Sequence, residues 1–145
     1  SITFKIKHLK KFTVNGEFIN FSGSATINDD NTLNDVYGNI ETSSINTNNK
    51  TRDRHLKSKD FLESKTYPII EFNSTKLVTK PNTIDGVLSL HGVTQNISIP
   101  YSITPTDNNK LLITSSFILN RFDFGIKKHK RMVGKEVAVY LNFLF

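Results

Sequence analysis

The chain reads as an all-β protein, an eight-stranded antiparallel barrel with one or two short helices, about residues 49–63, over one end. Three observations predict it. Apolar residues recur at every second position through most of the chain, short Asn, Asp, Gly and Pro turns separate these runs, and one polar stretch breaks the period. Ile2, Phe4 and Ile6 alternate with Thr3, Lys5 and Lys7, which describes a half-buried first strand. The second region, Val14 to Ile27, changes parity: Val14, Gly16 and Phe18 share a face, and Phe21, Gly23, Ala25 and Ile27 share it only after a one-residue slip. A bulge near Ile19-Asn20 restores the register. Val36, Gly38 and Ile40 mark the third strand.

The polar stretch follows. Asn48 or Asn49 can cap a helix, Leu56 starts an apolar stripe, and Ser58 can cap a second short turn carrying Phe61 and Leu62. Alternation then resumes in Ile70/Phe72, Gly86/Leu88/Leu90, Ile97/Ile99/Tyr101/Ile103, Leu111 to Leu119 and Val137 to Phe145. Turns are expected at Asn28 to Asn31, Lys80-Pro81-Asn82, Gly92 to Gln95 and Pro105 to Asn109. Eight strands can close on themselves, and closure removes the exposed edges of an open sheet.

A length of 145 residues fits one domain, 1–145. With 37% hydrophobic residues and no apolar run near the roughly 18 residues that a membrane-spanning helix needs, the chain reads as globular. It contains no Cys, which excludes disulfide scaffolds, zinc ribbons and thiol chemistry. The formal net charge of +6 favours anionic partners without naming one. The inward faces are almost wholly apolar, with Ala25, Gly38, Gly86 and Ser115 leaving volume beside larger neighbours. Two interiors fit that pattern: a lumen open to one apolar ligand, or a barrel packed shut.

Five segments, in order along the whole chain, resemble one family. Phe4 to Leu9 followed by Val14 to Phe18 is similar to the opening of the YceI-like proteins. Arg52-Asp53-Arg54-His55-Leu56-Lys57-Ser58-Lys59-Asp60-Phe61-Leu62 resembles that family's RDxHLxSxDFF segment, and Tyr67-Pro68-Ile69-Ile70-Glu71-Phe72 follows in register. Gly86 to Thr94 resembles its GxLxxHGVT hairpin, Asn120 to Gly125 its NRxDFG loop, and Val133 to Val137 the start of its last strand. The resemblance implies a lipocalin-like barrel that binds a polyisoprenoid or another long-chain amphiphile, quinone-like or fatty; no cofactor is expected. It also implies a homodimer and a periplasmic or secreted bacterial location. The chain opens on strand-like sequence without a signal peptide, so a cleaved or trimmed form is expected. The loop Lys127-Lys128-His129-Lys130-Arg131 is more basic than the family pattern demands.

The lumen is expected to be lined by Phe4, Ile6, Phe18, Ile40, Leu56, Phe61, Phe72, Leu88, Ile99, Tyr101, Phe117 and Val139. A polar mouth for a head group is expected at Arg52, His91, Arg121 and Asp123, since the planar guanidinium fork meets phosphate oxygens in pairs. The same Arg and Asp residues also fit a purely structural network that pins helix to loop. His8, His55, His91 and His129 show no HxH or HExxH spacing, so no metal site is expected. No GxSxG, Gly-rich phosphate loop or HxE arrangement suggests an enzyme. If the barrel is packed, the alternative is an interaction module whose Lys127, Lys128, Lys130 and Arg131 meet anionic membranes or polymers. Nucleic acid ranks last, because no aromatic stacking platform flanks the run.

Overall fold

The computed structural model describes residues 1–145. Eleven strands are present: β1 (Ile2–His8), β2 (Phe12–Phe18), β3 (Phe21–Ile27), β4 (Leu33–Glu41), β5 (Ile45–Asn46), β6 (Ile69–Ser74), β7 (Thr83–Leu90), β8 (Val93–Pro100), β9 (Ser102–Pro105), β10 (Leu111–Asn120) and β11 (Val133–Leu144). One helix, α1 (Lys50–Leu56), and two 3₁₀ turns, Thr42–Ser44 and Arg121–Phe124, complete the chain. The strands form two antiparallel sheets, ordered β5-β2-β1-β11-β10-β9 and β3-β4-β6-β7-β8.

The expected closed barrel of eight strands is therefore corrected: the ladders end at two corners, and two of the expected strands are each split there. At the first corner the Ile19 N–H donates to the Ser44 carbonyl (3.2 Å) and the Asn20 carbonyl accepts from the Glu41 N–H (3.0 Å). The chain thereby leaves β1 and takes β4 as its partner, at the position where the parity slip predicts a bulge. At the second corner the Tyr101 N–H donates to the Asn82 carbonyl (2.9 Å), and its hydroxyl accepts from the Leu33 N–H (3.0 Å). Beyond Tyr101 the chain pairs with β10. The β7–β8 turn is also tighter than expected, comprising only His91 and Gly92, both at positive φ. That is the geometry of a two-residue hairpin, so Val93 already lies in a strand.

Inward residues meet across the ladders as their alternation requires. Phe4 and Phe117 both pair with Val139, while Gly38 and Leu88 both pair with Phe72. The best-buried cluster, Ile70, Phe72, Ile84, Leu88, Ile99 and Phe124, belongs mainly to the second sheet.

Of the one or two short helices expected over 49–63, one forms. Asn49 caps α1 by accepting from the Arg52 N–H (2.9 Å). After Leu56 the Ser58 hydroxyl donates to the His55 carbonyl (2.6 Å) and accepts from the Asp60 N–H (3.3 Å). A serine hydroxyl that competes in this way for backbone partners favours a turn over continued helix.

Asp85, buried on β7, ties down the loop before its own strand. Its carboxylate accepts from the Ser98 hydroxyl and from the Thr79 N–H (3.2 Å). These bonds, that of Ser98 foremost, hold the carboxyl below its usual range. A lowered folded pKa stabilises the fold fully above the unfolded value, about 3.9, and the contribution is lost as the pH falls below it. Asp85→Asn is therefore expected to lower the urea midpoint at neutral pH, with a deficit that shrinks below about pH 4. A deficit constant with pH would assign the loss to packing alone.

Candidate functional site

Between the sheets lies a cavity of about 700 Å³, lined by 48 residues of which 35 are hydrophobic. That volume falls within the range of about 300–1,000 Å³ common for small-molecule sites. All twelve residues expected in the lumen line it: Phe4, Ile6, Phe18, Ile40, Leu56, Phe61, Phe72, Leu88, Ile99, Tyr101, Phe117 and Val139. Only 18 of the 145 residues are buried, and Ile6, Phe18, Ile40, Phe117 and Val139 stay half-buried although they point inward. A packed core would bury them, so the packed interior is corrected as well. At Gly38, on the inward face of β4, an added Cβ would meet no atom within 4 Å.

One end of the cavity is covered by α1, the turns after it and the segment 121–132. Helix α1 is anchored through Thr47: the Asp53 carboxylate accepts from the Thr47 N–H (2.9 Å) and hydroxyl (2.5 Å), and the Arg52 guanidinium donates to the Thr47 hydroxyl (2.8 Å) and carbonyl (2.6 Å). This anchoring turns Leu56 toward the cavity. Arg121, 4% exposed, donates to the carbonyls of Gly134 (2.9 Å), Ile126 (2.9 Å) and Val133 (3.0 Å). Burial pushes its pKa down from the ordinary arginine value. Its guanidinium also lies 5.8 Å from the centre of the Phe61 ring.

Asp60 joins the two halves of this cover. One carboxylate oxygen faces the Nε2 atoms of His55 (2.8 Å) and His129 (2.9 Å), and the His129 ring stacks on Phe61 at 5.6 Å. The hydrogen bonds, that of His129 first, hold the Asp60 carboxyl below its usual range. His55, Asp60 and His129 are also the residues that could hold a metal ion, with ligand atoms within 4.8 Å of one another. Motif spacing misses this group, because its members come from a helix, a turn and a distant loop. A dication there would share the loop of Lys127, Lys128, Lys130 and Arg131, and binding it would replace the hydrogen bonds between Asp60 and the two imidazoles.

The expected polar mouth does not assemble as one cradle. Arg52 and Arg121 line the cavity, but their guanidinium groups are committed to Thr47 and to three backbone carbonyls, which is the structural role. His91 lies off the cavity; its Nδ1 faces the Phe124 carbonyl at 3.0 Å and its ring packs 4.8 Å from that of Tyr67. Asp123 is exposed and forms no ion pair with Arg121.

The sequence matches the YceI-like domain family along residues 1–145. The chain belongs to the YceI-like family. A UPF0312 protein of Pseudomonas aeruginosa is 34% identical over 149 residues, covering 97% of this chain and 78% of that one. A Vibrio campbellii UPF0312 protein is 36% identical over 113 residues, a match that spans 60% of its length. Two solved structures share the YceI-like fold. Burkholderia cenocepacia BcnA has a TM-score of 0.89 at 18% identity, covering 99% of this chain and 94% of that one. A polyisoprenoid binding domain from Saccharophagus degradans, implicated in plant cell wall breakdown, has a TM-score of 0.78 at 14% identity, covering 99% and 91%.

Proposed function

We propose that this YceI-like domain binds and carries, without catalysis, the apolar chain of a polyisoprenoid, quinone-like or fatty amphiphile. The single observation behind this assignment is the apolar cavity of about 700 Å³ between the sheets. Each methylene moved from water into such a space is worth about 0.8 kcal/mol, so a long chain binds through length and needs no special residue chemistry. The polyisoprenoid binding domain among the structural neighbours supports the same ligand class. Export to a bacterial periplasm, expected from the family resemblance, is part of the proposal.

Native mass spectrometry of protein purified without detergent, followed by organic extraction, tests this function. A stoichiometric long-chain lipid is the expected result. An unliganded mass that persists after incubation with polyprenyl and fatty lipids would overturn it.

A further inference from the structure

The loop joining β1 to β2 and the loop leading into β11 lie side by side at the covered end of the cavity. The Leu9 N–H donates to the Met132 carbonyl (2.7 Å), and His8 pairs with Val133. With Phe12 at the start of β2, they expose three apolar side chains, Leu9 (45%), Phe12 (61%) and Met132 (47%). Six cations sit in the same two loops: Lys10, Lys11, Lys127, Lys128, Lys130 and Arg131. None of the six is held in an ion pair, although Lys130 lies over the Phe122 ring at 5.7 Å. The patch is continuous with the cavity wall, because His8, His129 and Met132 line it.

The turn itself supplies an independent observation. Leu9 and Lys10 both sit in the left-handed region, at φ 53° and 59°. Gly, Asn or Asp is the ordinary occupant of such positions, and a leucine or lysine there is strained. Such strain persists where the surrounding structure holds it, here through the bond from the Leu9 N–H to the Met132 carbonyl, and it fixes both side chains at an exposed tip.

The geometry points to a docking surface for anionic phospholipid bilayers, in which Leu9, Phe12 and Met132 enter the interface while the six cations meet lipid phosphates. Apolar groups ringed by lysines match that boundary, with its negative surface charge above acyl chains. Docking by this face sets the covered end of the cavity against the membrane. Its purpose rests on the lipid carriage proposed above, whereas the docking itself does not.

Flotation of the full chain with vesicles of equal parts phosphatidylglycerol and phosphatidylcholine tests the assignment. The protein is expected to float with these vesicles and to stay behind with pure phosphatidylcholine. Lys10→Gln with Lys11→Gln is expected to weaken partition roughly thirtyfold, about fivefold per charge. Phe12→Ser is expected to weaken it about tenfold while binding to heparin, a soluble polyanion, is unchanged. Leu9→Asn with Lys10→Gly relaxes the turn, so it is expected to melt a few degrees higher yet bind vesicles at least about tenfold more weakly. Vesicle binding unaltered by Phe12→Ser would overturn the bilayer in favour of a soluble acidic polymer. No flotation with anionic vesicles would overturn docking while leaving lipid carriage standing. Blocking the cavity by Gly38→Phe is expected to leave flotation intact, so the two functions are read separately.

Discussion

Arg121→Met is expected to lower the unfolding free energy by on the order of 3–5 kcal/mol in urea titration, the largest loss anticipated for any single residue here. Three carbonyls, those of Ile126, Val133 and Gly134, rely on this guanidinium, and the residue is 4% exposed. A hydrogen bond to a charged group contributes about 1.5–3 kcal/mol, and stranding its buried partner adds a desolvation cost. Methionine keeps the apolar stem and supplies no donor, but it leaves the space of the guanidinium beside Phe61 and Phe122 unfilled, so the loss sums hydrogen bonding and packing. Arg121→Lys is expected to fall between the two, because one ammonium cannot present the planar fork that spans three acceptors. A loss below about 1 kcal/mol for Met would mean that water reaches these carbonyls and that Arg121 is free to serve a head group. The same substitution is expected to speed amide exchange across residues 126–133, since Arg121 fastens that segment over the cavity.

Alternation carried the strand faces well because it reports burial directly. Phe4, Phe117 and Val139 could be placed on the inward face from their parity, although only the ladders show that they meet, and the slip between Phe18 and Phe21 marked a true corner. Closure was not legible in the same way. Whether a ladder continues past Ile19 or Tyr101 depends on which carbonyl takes each N–H, and Ser44 and Asn82, which supply those acceptors, carry no periodic signal. The polar mouth misled for a related reason. Arg52 and Arg121 look like phosphate ligands by residue type, but Thr47 and three backbone carbonyls, invisible as partners in a linear sequence, already occupy them. The proposed docking surface was legible only in part: Lys127, Lys128, Lys130 and Arg131 stand out in the sequence, whereas only the backbone reveals that Leu9 and Lys10 are held at positive φ beside Met132.

Gly38→Phe is expected to abolish lipid retention while leaving the fold intact, a separation that few lumen substitutions allow. A charged residue at Phe117 or Leu88 would also empty the cavity, but both pack against the core and their loss would cost stability too. Gly38 differs because a Cβ there projects into open space. Its backbone is that of an ordinary strand in register with Phe72, so a side chain is admissible, and replacing a strand glycine is worth roughly 0.5–1 kcal/mol of stability. The series Ala, Leu, Phe at this position then titrates volume alone. Ala is expected to bind lipid nearly as the glycine protein does, Leu to bind more weakly, and Phe to copurify with none; after delipidation all three are expected to melt at or above the delipidated unaltered chain, since bound lipid itself stabilises the fold. Full lipid content in a folded Gly38→Phe protein would place the chain outside the cavity between the sheets. A graded loss with rising stability is the opposite of what a packed core gives when overfilled, since overpacking typically costs about 1–3 kcal/mol. The sign of the stability change at Gly38 therefore tells an evolved ligand space from a void that a larger side chain would strain.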